Sequence, residues 1–333
     1  MLWIWAGFIF FVLLLVTLDL GFVNRRPHII GLEDALRWSG LWIALGIGFC
    51  FVIYDGYAHH RFGLGLAFDP IDGRLSDGPS AAAKYLAAYV LEKALSVDNL
   101  FVIAVIFRFL AVPAKLQPRV LLWGILGAMV LRGVMVGVGV ELIHRYHWVL
   151  YVVGGFILLT GLRLLFVHDR PIDPSHNPIL RLARKLLPLT PRYEGGRFLT
   201  RENGQLMLTP LALALLLIEA GDAIFAVDSI PAVFGVTADP LLVYTSNIMA
   251  ILGLRSLYFA LAGLLEKFNY LKVSLALILV VVGAKMIARH WIHQLVGEYA
   301  SLYLLGIIAV LLGAGIVGSI LWRPRVTESK DAL

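Results

Sequence analysis

Two short stretches of this 333-residue chain place polar side chains where hydrocarbon is expected. EKALSVDNLFV (residues 92–102) carries Glu92, Lys93, Asp98 and Asn99. DAIFAVDSIPAVF (222–234) carries Asp222, Asp228 and Ser229, with Glu219 just upstream. Both read acid-x5-Asp followed by Asn or Ser, with a Val before the aspartate. Together they offer carboxylate, amide and hydroxyl oxygens, with no thiolate and no buried imidazole. Such an oxygen-only donor set suits Mg²⁺, Ca²⁺ or Mn²⁺ and disfavours Cu⁺ or Zn²⁺. A relay of protons, or structural pairing with buried bases, is the competing use of the same carboxylates.

Charge balance bears on that choice. Six acids lie in apolar runs (Asp19, Glu92, Asp98, Glu219, Asp222 and Asp228), against three bases, Lys93, Arg132 and Arg255. Each such acid costs about 2.5–3.5 kcal/mol at the centre of a membrane helix. Structural ion pairs alone would balance; a surplus of carboxylates asks for a cation, protons or both. Ionisable residues inside a membrane are functional by default, which favours a cation site. Asp19, Lys93, Arg132 and Arg255 are then candidates for proton coupling or ion pairing. Asn247, which precedes an ILG triplet, can add an amide ligand or bond across helices.

The elements that must position these residues are membrane helices. The chain is 60% hydrophobic and 15% charged, with mean hydropathy +0.85, too apolar for a soluble globular protein. Apolar windows of spanning length fall at about 3–23, 36–54, 82–107, 119–141, 148–167, 208–234, 241–265, 272–290 and 301–322. This predicts an all-α polytopic protein of nine spans. Loops after the odd-numbered spans hold nineteen Lys and Arg against six on the other side. By the positive-inside rule the N-terminus is expected outside and the C-terminus in the cytoplasm. The first span has neither a basic n-region nor a cleavage site, so it reads as a retained helix.

The expected organisation is one transmembrane domain over 1–326, with a cytoplasmic linker at 168–207 and a disordered tail at 327–333. Within the linker, NPILRLARKLL reads either as a surface amphipathic helix or as a solvated one. The net charge of +6 follows from the loop arginines and lysines, and no nucleic-acid-binding motif accompanies it. Cys50 is the single cysteine, so an intrachain disulfide or thiolate cluster cannot form. No Walker, nucleophile-elbow or HExxH pattern supports an enzyme or an ATP-driven pump.

The two acidic motifs also suggest a repeat. Each is followed by a helix bearing ILG and an arginine, WGILGAMVLRG with Arg132 and MAILGLRSL with Arg255. With the expected orientation, spans three to five and six to eight run in opposite senses, as in inverted-repeat transporters whose site lies at mid-bilayer. Residues six apart sit about 240° around a helix, so Glu92 and Asp98, or Asp222 and Asp228, share a cavity only if the helix breaks. Pro231 and the weak helix formers of SVDN are therefore expected to break spans six and three.

At these motifs the chain resembles the TerC family of integral membrane proteins. WIWAGF, LDLG, EKALSVDNLFV, WGILGA, NPILRLARKLLP, FAVDSIPAVFGVT and TSNIMAILGLRSLYF carry the resemblance over nearly the whole length. It implies export of Mn²⁺ from the bacterial cytoplasm across the inner membrane, with Mn²⁺ as cargo and no covalent cofactor. It also implies that Glu92, Asp98, Asn99, Asp222, Asp228 and Ser229 bind the ion. One departure touches specificity: this chain reads IEAGD where the family usually reads IEFTD, which places Ala220 and Gly221 beside the acids. The competing expectation is a non-transporting membrane partner in tellurium resistance or in the assembly of exported proteins, with the linker as its docking segment. His59 and His60, beside Asp55, and the pair His290 and His293 are further residues able to receive a metal, as is the cytoplasmic HDRPIDPSH.

Overall fold

The computed structural model describes residues 2–23, 31–146, 148–166, 188–190, 193–202, 205–261, 269–288, 291 and 300–321. Among these residues ten α-helices follow in order: α1 (Leu2–Val23), α2 (Leu32–Ala58), α3 (Gly78–Phe109), α4 (Gln117–Arg145), α5 (Val149–Phe166), α6 (Pro210–Phe234), α7 (Pro240–Ile251), α8 (Leu254–Leu261), α9 (Asn269–Ile287) and α10 (Ala300–Leu321). Two antiparallel hairpins, β1 (Phe68–Asp69) with β2 (Arg74–Leu75) and β3 (Leu199–Glu202) with β4 (Gln205–Leu208), lie in the connections. All nine expected windows fall on helices, the seventh on α7 and α8 together. Among the described residues six helical segments are long and apolar enough to cross a membrane, α7 and α8 counting as one. α3 is not one of them, because Glu92, Lys93 and Asp98 interrupt its apolar run. Phe10, Val130, Leu159 and Val310 remain largely exposed around the perimeter, a surface that hydrocarbon satisfies.

The three helices that matter most start in the same way. Asp77, Thr209 and Asp239 cap α3, α6 and α7 by accepting from the backbone N–H groups of Ser80, of Ala212, and of Leu241 and Leu242. A proline in each first turn presets the helical φ where no N–H is needed.

The expected breaks in spans three and six are not found. α3 runs unbroken for 32 residues through SVDN, and α6 runs for 25 through Pro231. Burial on both faces outweighs the weak propensity of SVDN, and Ser96 Oγ donates back to the Glu92 carbonyl at 2.7 Å. Pro231 lies one turn from the end of α6, where it withdraws a single hydrogen bond. The final turn is closed by the N–H groups of Gly235, Val236 and Thr237, which bond to carbonyls of residues 231–233.

The break lies instead in span seven. α7 stops at Ile251, Gly253 takes a left-handed φ of +80°, and α8 begins at Leu254. Trp42 packs onto Gly253, leaving no room for a Cβ. The carbonyls freed by the break are satisfied from α3: Lys93 Nζ donates to Ala250 O at 2.9 Å and Leu252 O at 3.2 Å.

Contacts fix the relative directions of the helices. Lys84, early in α3, bonds Asp69, which also accepts from Thr237 and Ala238 just past the end of α6. Val102, late in α3, lies beside Gly221 in the middle of α6. α3 and α6 are therefore antiparallel. Gln117 at the start of α4 meets Tyr258 in α8, while Gly133 meets Tyr244 near the start of α7. Gly154 and Gly161 of α5 pack against Gly283 and Ala276 of α9, again antiparallel, and both glycines are needed for that close approach. α3 packs on α7 as α6 packs on α4. These pairings are the ones an inverted repeat of α3–α5 and α6–α9 requires.

Candidate cation site between antiparallel helices

Arg132 of α4 is buried at the junction of α3, α4, α6 and α7. Its guanidinium donates from Nη1 to Glu92 Oε1 and, at 2.9 Å, to Asn247 Oδ1. Nη2 donates to Asp222 Oδ1 at 3.1 Å, and Nε reaches Asp222 Oδ2 at 3.4 Å. Asn99 Nδ2 also donates to Asp222 Oδ1, at 2.9 Å. Two carboxylates thus share one guanidinium, which leaves the cluster with an uncompensated negative charge among its described members. Glu92 is 0% exposed and Asp222 4%, so solvent does not supply the difference.

Three oxygens of this region have no hydrogen-bond partner among the described residues: Glu92 Oε2, Asn99 Oδ1 and Ser229 Oγ. Glu92 Oε2 and Asn99 Oδ1 are acceptors only, and the Ser229 hydroxyl can accept as well. Each orphaned group costs about 1–3 kcal/mol while it stays unpaired. All three are oxygens of the kind that accept from a donor or bind a hard cation.

The spacing that matters differs from the one the sequence suggests. Glu92 and Asn99, and likewise Asp222 and Ser229, are seven residues apart, which puts each pair on one face of a straight helix, two turns apart. With α3 and α6 unbroken, the acid and the second aspartate of each motif remain on different faces. Asp228 is half-buried, and Arg163 of α5 is the basic group that acts on it. The Asp98 side chain lies outside the described residues. Glu219 is half-buried one turn before Asp222, and its carboxylate rests against Gly127 so closely that a Cβ there would collide. The first ILG glycine therefore makes room for an acid, whereas the second, Gly253, breaks a helix.

The remaining predicted residues sit elsewhere. Arg255 Nη1 pairs with Asp19 Oδ2 at 3.5 Å, joining α8 to α1, and Arg255 Nη2 is buried without a partner among the described residues. Lys93 caps the broken span rather than a carboxylate. His59 Nδ1 lies 3.2 Å from Asp55 Oδ1, while His60 Nδ1 contacts Leu64 O at 2.9 Å, so the two rings have different partners. His290, His293, HDRPIDPSH, the NPILRLARKLL segment and the tail lie outside the described residues. Among the described residues no three His, Cys, Asp or Glu side chains converge in a ready-made metal site. Arg132 occupies the space between the carboxylates.

A second buried cluster carries no signal in the sequence motifs. Lys84 Nζ bonds Asp69 Oδ2 at 2.9 Å, Asp72 Oδ2 at 2.8 Å and Ser76 Oγ at 3.1 Å, and Thr237 Oγ1 donates to Asp69 at 2.5 Å. Lys285 of α9 reaches Gly235 O at 3.3 Å and Asp72 at 3.9 Å. Burial alone would raise the Asp69 carboxyl. The Lys84 ammonium, with hydrogen bonds from Thr237, Lys84 and the Ile71 N–H, outweighs that and holds it below the usual carboxylate range. This clasp ties the α2–α3 connection to the α6–α7 turn and so fixes α3 against α6. Its acids sit in a polar loop, where a surface role is the ordinary reading.

The family model for the integral membrane protein TerC family matches residues 77–327, which include the whole arginine-centred cluster. The chain belongs to the TerC family of integral membrane proteins. Membrane protein STKORF319 of Myxococcus xanthus is 44% identical over 329 residues, covering 99% of this chain and 95% of that protein. A protein of Escherichia coli K12 that carries the name membrane-bound redox modulator Alx is 41% identical over 291 residues, 87% of each chain. A membrane protein of Rickettsia felis is 37% identical over 97% of this chain and 99% of its own length. No solved structure matches. This TerC-family chain is thus a multi-pass integral membrane protein similar to its relatives along nearly its full length.

Proposed function

We propose that this chain is a secondary transporter that exports divalent cations, Mn²⁺ foremost, from the cytoplasm across the bacterial inner membrane, with its N-terminus outside. The observation that carries this reading is the Glu92–Arg132–Asp222 triad with its three unpartnered oxygens, Glu92 Oε2, Asn99 Oδ1 and Ser229 Oγ. In the ion-free state Arg132 stands in for the cargo. An entering cation takes Glu92, Asp222, Asn99 and Ser229, and Arg132 is released towards Asn247, to which it is already bonded. When the ion leaves, the guanidinium returns between the two carboxylates and a proton offsets the one negative charge it leaves over, which makes exchange with H⁺ the natural coupling. Glu219, against Gly127 and one turn from Asp222, is the next carboxylate along the same helix. Mn²⁺ rather than another hard cation is the preference implied by the family resemblance. A dithiol redox role for one copy of the chain finds no support, since Cys50 is its single cysteine.

The test is metal flux into proteoliposomes containing the full-length chain, read with a trapped metal-sensing dye. Wild type should move Mn²⁺, and Glu92→Gln and Asp222→Asn should each abolish most of the flux. Flux absent in wild type, or undiminished in both variants, would overturn the reading. Flux indifferent to a pH gradient would remove only the proton exchange.

A further inference from the structure

A separate built feature lies between the start of α1 and the end of α2. It is a cavity of about 510 Å³, within the ~300–1,000 Å³ range of small-ligand pockets. Its walls are apolar, formed mainly by Trp3, Phe8, Phe11, Phe49 and Val52, and Leu241 and Thr245 of α7 also line it. Its rim is not apolar. Asp55 and Arg61 line it as well, paired at 2.9 Å and 3.1 Å, with side chains 44% and 58% exposed. An ion pair so exposed contributes little to stability, so its place at the mouth of an apolar cavity asks for another reason.

Backbone strain sharpens the point. His60 and Phe62 hold left-handed φ values of 47° and 57°, unusual for residues with side chains, and the turn they form brings Arg61 and Phe62 to the cavity. Such conformations persist where surrounding contacts hold them, and they cluster at ligand clamps. At the other wall Gly7 opens onto empty space, with nothing within 4 Å of where a Cβ would stand.

We propose that this cavity is a binding site for a zwitterionic aminophospholipid, with one acyl chain among the aromatic side chains, the phosphate on Arg61 and the ammonium on Asp55. The rim matches that headgroup in both signs. An anionic glycerol headgroup would gain Arg61 but meet Asp55 with no cation to offer it. Because Leu241 and Thr245 share α7 with Asn247, the bound chain packs against the helix that holds Arg132 in its ion-free position.

The site is tested on the full-length chain, reconstituted from an equimolar mixture of phosphatidylethanolamine and phosphatidylglycerol and released into the gas phase for native mass spectrometry. With two charge-assisted contacts at the rim, wild type should retain phosphatidylethanolamine over phosphatidylglycerol by about tenfold. The double variant Asp55→Ala/Arg61→Ala should keep a lipid but lose the preference. Gly7→Phe, whose Cβ would meet nothing within 4 Å at the cavity wall, should lose the retained lipid while melting as wild type does. Equal retention of the two lipids by wild type, an unchanged preference in the double variant, or retained lipid in a folded Gly7→Phe would each overturn the proposal.

Discussion

Removing the guanidinium of Arg132 leaves Glu92 and Asp222 buried together without a countercharge, and that is where the account is most exposed at the scale of single residues. Breaking a buried ion pair from one side costs about 3–5 kcal/mol. Arg132→Met should therefore lower thermal stability in metal-free detergent, and Mn²⁺ should restore more of the loss than it adds to wild type. A melt of both proteins with and without Mn²⁺ checks this; an Arg132→Met protein indifferent to metal would mean that the carboxylates do not hold the ion. Glu92, Asn99 and Asp222 were legible in the sequence because a charged or amide side chain in an apolar run is costly enough to need a reason. Their separation from Asp98 and Asp228 onto another helix face was not legible. Both aspartates share the motif with the acids, but a straight helix groups residues seven apart, and straightness was decided by packing that no local pattern records.

At the scale of elements, the same packing moved the break from the expected spans to α7–α8. SVDN and Pro231 signal a break only through local propensity, which a buried helix overrides. Gly253 gave only the signal of an ILG triplet, and the cation that closes its loose carbonyls comes from residue 93 on another helix. Lys93→Met should thus destabilise the protein by about 1–3 kcal/mol, the cost of burying carbonyls that have lost their donor. The effect on flux should be smaller than that of Asp222→Asn, because Lys93 bonds backbone and not the carboxylates. Denaturant or thermal unfolding set beside flux for the two variants separates these roles; equal loss of transport in both would place Lys93 in the ion path.

Across the whole molecule, two antiparallel helix pairs, α3 with α6 and α4 with α7, bring acidic motifs about 130 residues apart in the chain to one arginine. The helices under the nine apolar windows were readable because lipid sets the length of such windows, and family membership follows from the match over residues 77–327. The clasp of Asp69, Asp72, Lys84 and Lys285 was not readable, since only the folded chain makes a polar loop part of the interior. The most direct measurement is an anomalous difference map of the full-length protein crystallised with Mn²⁺. The account predicts a peak held by Glu92 and Asp222, with Asn99 and Ser229 turned to it and the Arg132 guanidinium drawn away towards Asn247. A peak only at other carboxylates, or an undisturbed Glu92–Arg132–Asp222 triad at Mn²⁺ concentrations that saturate flux, would contradict it.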